Sequence, residues 1–91
     1  MKTNNMKTFD DLQFTPHPNM NGVQARIQFE NGYGASVVKG EYTYGGEDGL
    51  YELAVLDSNG KLTYSTPVTD DVEGYLSEDG VTRLLEQIQS L

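Results

Sequence analysis

The chain contains no cysteine and no tryptophan. The absence of cysteine excludes disulfide bonds and thiolate metal sites. No apolar run approaches the roughly 20 residues that a membrane-spanning helix needs, and the first residues lack the apolar segment of a secretory signal. We therefore expect a cytoplasmic protein without a membrane partner.

Basic residues are also scarce. The chain carries 6 Lys and Arg against 14 Asp and Glu, which gives a net charge of −8. Because nucleic-acid affinity depends on basic side chains that displace counterions from phosphates, direct binding to DNA or RNA is disfavoured. Two interpretations of the acidity remain. It attracts a protein with a basic surface, including one that binds nucleic acid, or it only keeps a small protein soluble.

The 91 residues suffice for one small domain. Residues 1–7 are polar and offer nothing to bury, so we expect a flexible N-terminus followed by a single domain over 8–91. From Thr8 the sequence predicts a capped turn and then a short strand through Phe14. The prolines within 16–18 block a helix and predict a rigid bend.

Residues 23–30 alternate between apolar and polar side chains, which predicts a half-buried strand. An Asn-Gly pair at 31–32 marks a turn, and 33–39 is the expected return strand. We expect a three-residue loop with a bulge, because it buries more apolar surface than a two-residue loop. It would place Ala35 and Val37 opposite Phe29 and Ile27.

A second hairpin is predicted over 50–68, around the turn dipeptide Asn59-Gly60. A two-residue loop there sets the whole register. The expected pairs are Ser58/Lys61, Asp57/Leu62, Val55/Tyr64, Leu53/Thr66 and Tyr51/Val68.

The segments around this hairpin are less regular. The glycine-rich residues 40–49 predict a short strand over 41–44 and then a loop that the glycines loosen. Residues 69–75 read as a connecting turn or a single helical turn.

The C-terminal residues form the clearest helix. Ser77 is the expected N-cap, with two acids in the first turn where the helix dipole favours them. Gly80 is a poor helix former and predicts a frayed first turn. An apolar stripe at helical spacing comprises Val81, Leu84, Leu85, Ile88 and Leu91. The expected fold is α+β, an antiparallel meander of four or five strands with one C-terminal helix packed on one face.

Residues suited to catalysis are few. The single histidine, His17, lies between two prolines and reads as an exposed turn residue. Paired carboxylates occur, but adjacent acids on a strand or helix diverge and make no ready acid–base pair. The acids at 47–48 fit no EF-hand spacing. We therefore expect no enzyme activity, no cofactor and no metal site.

Tyrosine is the abundant aromatic residue, with 6 tyrosines against 3 phenylalanines. A large ring with a polar tip suits a surface that is alternately wet and covered by a partner. Tyr51 and Tyr64 are expected at the edge of the core, whereas Tyr33, Tyr42 and Tyr44 lie on or beside glycine-rich turns. The alternative is that these tyrosines only reflect sheet propensity. The expected protein-binding residues are Tyr42, Tyr44, Glu47, Asp48, Asp70, Asp71 and Glu73.

Several strings together resemble a group of small bacteriophage and prophage proteins: MKTFDDLQFTPHP, NGYGASVV, YELAVL and LTYSTPVTDDVEGYLSEDGVTRLLEQIQ. The resemblance spans residues 6–91 and implies a phage gene product in a bacterial cytoplasm. It implies no activity and no site residues.

Small acidic phage proteins without enzyme activity commonly block a host protein. The leading hypothesis is therefore an inhibitor of the anti-defence class, which includes anti-CRISPR proteins, acting on a basic host surface. The alternative is a structural or replication-accessory phage protein that forms a homo-oligomer through an exposed strand edge. A weaker alternative is a small metal-dependent enzyme.

Overall fold

The computed structural model describes residues 6–91 as one antiparallel sheet with one helix. The sheet has 5 strands in the order β1-β2-β3-β4-β5, so each strand pairs with its neighbours in the chain. The predicted α+β meander with a C-terminal helix is confirmed. The elements are β1 (Thr15–Pro16), β2 (Gly22–Gln28), β3 (Gly34–Gly40), β4 (Tyr51–Leu56), β5 (Glu73–Leu76) and α1 (Glu78–Gln89), with short 3-10 helices at Phe9–Asp11 and Gly46–Asp48.

The core lies between α1 and one face of the sheet, where burial of apolar side chains supplies most of the stability. Its fully buried members come from the two central strands and the helix stripe. They are Ala35, Val37, Tyr51, Leu53, Val55, Val81, Leu85 and Ile88. Of the predicted stripe, Leu84 is partly buried against this cluster and Leu91 is exposed.

The N-terminal segment closes one side of the core. Thr8 precedes the first 3-10 helix, and its N–H donates to Asp11 Oδ2 at 2.8 Å, as the predicted capped turn requires. The rings of Phe9 and Phe14 pack against Tyr51 with centroids 5.1 and 5.6 Å away. The predicted strand through Phe14 is wrong, because the chain pairs with β2 only at Thr15–Pro16.

The predicted flexible N-terminus is described only in part, since residues 1–5 lie outside the described residues. The backbone of Lys7 is hydrogen-bonded to the side chain of Gln89 at the end of α1. Its N–H donates to Gln89 Oε1 at 2.8 Å, and its carbonyl accepts from Gln89 Nε2 at 2.8 Å.

The β2–β3 hairpin has a three-residue loop as predicted, but over residues 30–32, whereas the predicted register requires 31–33. The Phe29 N–H donates to the Tyr33 carbonyl at 2.7 Å, and Gly32 has a φ of 94°, which a glycine adopts without strain. The expected pairing of Ala35 and Val37 with the first strand is wrong by two residues. Ala35 lies opposite Ile27, and Val37 lies opposite Ala25.

The hairpin predicted over 50–68 forms only near its turn. The Asp57 carboxylate accepts the N–H groups of Asn59 and Lys61 at 2.8 and 3.0 Å, and Gly60 has a φ of 76°. These bonds make a three-residue loop, so Leu56 rather than Asp57 lies opposite Leu62. The chain then leaves the sheet before Pro67, which has no N–H to donate.

Strand β5 pairs with β4 along the edge where the second strand of that hairpin was expected. It pairs with β4 through Tyr51 with Leu76 and Leu53 with Glu73. The expected pairs of Val55, Leu53 and Tyr51 with residues 64, 66 and 68 are therefore wrong. The predicted connecting turn at 69–75 is correct only for its first half, because a strand begins at residue 73.

The start of α1 follows the prediction. Ser77 is the N-cap and its hydroxyl accepts the Gly80 N–H at 3.1 Å. Gly80 lies inside α1, whose first turn is regular and not frayed as predicted. Among residues 6–91, no helix combines the length and apolarity needed to cross a bilayer.

Replacing Ser77 by Ala removes the acceptor for the Gly80 N–H. We expect Ser77→Ala to lower the free energy of unfolding by about 1 kcal/mol, measured by urea denaturation. Ser58→Ala, at an exposed loop position, is the matched control and should leave the midpoint unchanged. An unchanged midpoint for Ser77→Ala would show that the cap does not stabilise this helix.

Candidate protein-binding surface

The glycine-rich residues 40–50, here called the tyrosine loop, connect β3 to β4. The predicted strand over 41–44 is wrong, because the chain turns immediately after β3. The Thr43 N–H and hydroxyl both donate to the Gly40 carbonyl, at 3.2 and 3.0 Å, and the Thr43 hydroxyl accepts the Gly40 N–H at 3.0 Å. Tyr42 is thereby placed at the tip of a tight turn.

The second half of the tyrosine loop is a 3-10 helix over Gly46–Asp48, bounded by Gly45 and Gly49 with φ of 90° and 77°. The Leu50 N–H donates to the Gly45 carbonyl at 2.9 Å and closes the turn. The sequence predicted that these glycines loosen the backbone. Instead they allow a loop closed by backbone hydrogen bonds, in which the two exposed acids, Glu47 and Asp48, are consecutive residues.

Two dipeptides from distant parts of the chain meet beside this loop. Tyr44-Gly45 packs against Gly74-Tyr75, and the Tyr75 N–H donates to the Tyr44 carbonyl at 3.0 Å. Each glycine lies against the tyrosine of the other dipeptide. A Cβ on Gly45 would stand 2.9 Å from Tyr75 Cα and 3.0 Å from its Cδ1, and one on Gly74 would overlap Tyr44 Cβ. We call this arrangement the tyrosine clasp.

A β-bulge in β5 creates the clasp. The register between β4 and β5 shifts between the pairs of Tyr51 and Leu53, so β5 has one extra residue there. Tyr75 has a φ of 55° and is the non-glycine residue with positive φ among residues 6–91. This backbone conformation turns its N–H away from β4 and towards Tyr44.

The left-handed conformation of Tyr75 costs roughly 1–2 kcal/mol for a residue with a Cβ. A strained residue that is largely exposed gains little from burial in return. Such strain is more typical of functional positions than of positions that only stabilise the fold. Tyr75 was absent from the predicted site, because nothing in the sequence signals positive φ at a tyrosine.

Exposure separates the tyrosines into two groups. Tyr42, Tyr44 and Tyr75 are 81%, 61% and 64% exposed, whereas Tyr51 is buried as predicted. Tyr64 was expected at the core edge but is 45% exposed, because the strand that would have carried it does not form. Tyr33 packs partly against the core.

The carboxylates predicted for the surface fall into two places. Glu47 and Asp48 belong to the tyrosine loop, and Glu73 is exposed in β5 two positions before Tyr75. Glu52, which was not predicted, accepts the Tyr44 N–H at 2.9 Å through Oε1 and anchors the clasp to β4.

Asp70 and Asp71 are exposed on the segment that leads into β5. They precede Glu73 in the chain, and Asp71 Oδ1 accepts the neighbouring Val72 N–H at 2.7 Å. Of the predicted residues, Tyr44 is part of the clasp, and Glu73 belongs to β5, which also carries Tyr75.

Other parts of the described chain are less suited to binding a ligand. His17 is half-buried rather than exposed, and its Nδ1 accepts the Asn19 N–H at 3.0 Å. Within residues 6–91, no group of three or more His, Cys, Asp or Glu side chains could hold a metal ion. An open groove of about 620 Å³ lies between the 67–68 segment and the outer side of α1, with Met6, Arg83 and Leu91 among its lining residues.

Comparison with known proteins identifies no relative. The chain matches no protein-family model, and no curated protein or solved structure matches it at a significant level. The resemblance to small phage proteins therefore stays a prediction. Function is inferred from the surface of this chain alone.

The strain at Tyr75 predicts an unusual response to glycine. We expect Tyr75→Gly to raise the free energy of unfolding by about 0.5–1 kcal/mol, because relief of the left-handed conformation exceeds the added entropy of the unfolded chain. Tyr64→Gly is the matched control. Tyr64 is also an exposed tyrosine but has no positive φ, so the Tyr64→Gly variant should have a free energy of unfolding lower by about 0.5–1 kcal/mol.

Urea denaturation of both variants measures the contrast. Opposite signs support a strained Tyr75. Equal losses at the two positions would show that Tyr75 is held without strain and would remove this reason for treating it as functional.

Proposed function

We propose that the protein is a non-enzymatic phage protein that binds and inhibits a host protein in the bacterial cytoplasm. It belongs to the anti-defence class, which includes anti-CRISPR proteins. Its contact surface is the tyrosine clasp with Tyr42 and the neighbouring carboxylates. The observation that supports this most is the exposure of three tyrosines on a hydrogen-bonded backbone support.

Exposed tyrosines on an ordered support are suited to protein recognition. A tyrosine ring gives a large contact area with few rotatable bonds, so little conformational entropy is lost on binding. The side chains of Thr43 and Glu52 already hold the path of the tyrosine loop through hydrogen bonds to Gly40 and Tyr44. Binding then needs little further ordering, which favours affinity.

The surrounding charge favours a basic partner. The chain has a net charge of −8, and the acids Glu47, Asp48 and Glu73 flank the three tyrosines. Opposite charge on the partner speeds association and makes binding sensitive to salt. Asp70 and Asp71 extend the negative surface along the approach to β5.

Inhibition follows if the basic partner surface normally holds nucleic acid. Carboxylates presented by this domain would occupy the positions of phosphates, while the tyrosines supply the contact area. The acidic domain would itself have no affinity for nucleic acid. A nucleic-acid-binding defence protein is therefore the expected type of host target.

The rival proposal, a homo-oligomer formed through a strand edge, finds less support. One edge strand, β1, is 2 residues long and contains Pro16, and the other, β5, is bulged at Tyr75. Short edge strands, proline and bulges all oppose edge-to-edge pairing. Light scattering separates the proposals, since a stable dimer at low concentration favours the rival.

The weaker alternative, a small metal-dependent enzyme, requires an ion to bind. Calorimetric titration with Mg²⁺, Mn²⁺ and Ca²⁺ tests it directly. Heat of binding to any of them would support that alternative.

The main test is affinity capture from bacterial lysate followed by mass spectrometry. The bait is the wild-type protein or the double variant Tyr42→Ala/Tyr44→Ala, with Tyr64→Ala as the control at an exposed tyrosine outside the surface. We expect a host protein that the wild type and the control retain and the double variant loses. Because interface tyrosines commonly contribute 2 kcal/mol or more, the loss should be about thirtyfold or greater.

The charged part of the proposal is tested on the purified partner. Affinity should fall between low and high salt, and Asp70→Asn/Asp71→Asn should slow association more than it speeds dissociation. Capture that is identical for all three baits would contradict the proposed surface. Affinity that is independent of salt would contradict the electrostatic contribution.

A further inference from the structure

The tyrosine clasp has a geometry that a protein contact surface does not by itself require. Each of its two tyrosines packs against a glycine, Tyr75 against Gly45 and Tyr44, through its Cβ and Cγ atoms, against Gly74. Because a glycine has no side chain, the ring can approach the backbone closely on one side. The rings are nevertheless 61% and 64% exposed, so the remainder of each faces solvent.

Three contacts hold the backbone segments that carry the two rings. The Tyr75 N–H is bonded to the Tyr44 carbonyl, and the Tyr44 N–H is bonded to Glu52 Oε1 at 2.9 Å. Gly46 packs so closely on the Gly40 carbonyl that a Cβ there would overlap it. The two exposed rings are thus held by backbone contacts rather than by a covering side chain.

Four carboxylates lie near these tyrosines in the sequence or in contact with them. Glu52 reaches the clasp itself, Glu73 lies two positions from Tyr75, and Glu47 and Asp48 follow Tyr44 within one short 3-10 helix. The face of a tyrosine ring is the negative end of its quadrupole, so rings and carboxylates attract the same sign of charge.

A planar cation fits this combination best. The arginine guanidinium stacks on aromatic faces, is weakly hydrated, and pairs with carboxylates through two N–H groups at once. The lysine ammonium is a strongly hydrated point charge without a flat face. Phosphate-bearing ligands are opposed by every charge at the site.

We propose that the tyrosine clasp is a binding site for arginine side chains of the protein partner, with Tyr44 and Tyr75 as the stacking surfaces and the adjacent carboxylates as the pairing groups. This inference rests on the proposed function and names the side chain that the surface recognises. Tyr75 acquires a definite role, since its strained backbone directs its N–H to the Tyr44 carbonyl and brings the two residues together.

The test uses short capped peptides in place of the unidentified partner. One peptide has two arginines separated by glycine, the second has lysines and the third has citrullines at the same positions. Citrulline keeps the shape of arginine but has no charge. Aromatic and amide NMR signals of the wild-type protein are followed during titration, with the exposed Tyr64 ring as the internal control.

We expect the arginine peptide to shift the Tyr44 and Tyr75 ring signals in a saturable way and to bind about fivefold more tightly than the lysine peptide. The citrulline peptide should give no saturable shift, and Tyr64 should not respond. Tyr44→Leu and Tyr75→Leu keep an apolar side chain but remove the aromatic face. Each should abolish the preference for arginine, whereas Tyr64→Leu should retain it.

Equal binding of the arginine and lysine peptides would overturn the inference, because charge alone would then account for the attraction. So would shifts confined to residues outside the clasp. These results leave the proposed function separately testable. If captured host protein depends on Tyr42 and Tyr44 while the arginine peptide shows no preference, the contact surface stands and arginine recognition fails.

Discussion

A single backbone hydrogen bond, from the Tyr75 N–H to the Tyr44 carbonyl, joins the two halves of the exposed surface. It exists because β5 is bulged and Tyr75 adopts a left-handed conformation. The tyrosine loop is also held by the Glu52 carboxylate at Tyr44 and by two hydrogen bonds between Glu41 and Asn21. The meeting of Tyr44 and Tyr75, however, depends on this contact.

The two sides of the molecule perform different tasks. The face of the sheet under α1 buries the apolar side chains, and its central members, Leu53 and Val55, are completely inaccessible. That packing includes Leu76 at the end of β5, whereas the exposed Tyr42, Tyr44 and Tyr75 are not part of it. A surface that is not needed for stability can keep strained and exposed residues, as functional surfaces commonly do.

The sequence predicted those parts of the fold in which local chemistry and apolar pattern agree. The cap at Ser77, the stripe of α1, the alternation of β2 and the length of the loop after it are all local, and the structure has each of them, although that loop begins one residue earlier than predicted. The 50–68 hairpin failed because the Asp57 side chain bonds within its own turn, which accompanies a register shifted by one residue, and because the chain then leaves the sheet before Pro67. The preference of Asn-Gly for a two-residue loop does not include that bond.

The candidate surface was predicted for a different reason and only in part. Tyr42, Tyr44, Glu47 and Asp48 lie together because they are close in sequence, so a glycine-rich loop was enough to suggest them. Tyr75 and Glu52 join them through contacts between distant segments, which no local pattern reveals. Asp70 and Asp71 are exposed and belong to the segment that leads into β5.

The measurement that tests the central claim most directly is amide hydrogen exchange at Tyr75 and Tyr44, followed by NMR on the wild-type protein. If the clasp is formed, both N–H groups are bonded and should exchange much more slowly than an unstructured peptide of the same sequence. Exchange at the unstructured rate for Tyr75, with the amides of β3 and β4 still protected, would show that the rings are not held together and would contradict this account.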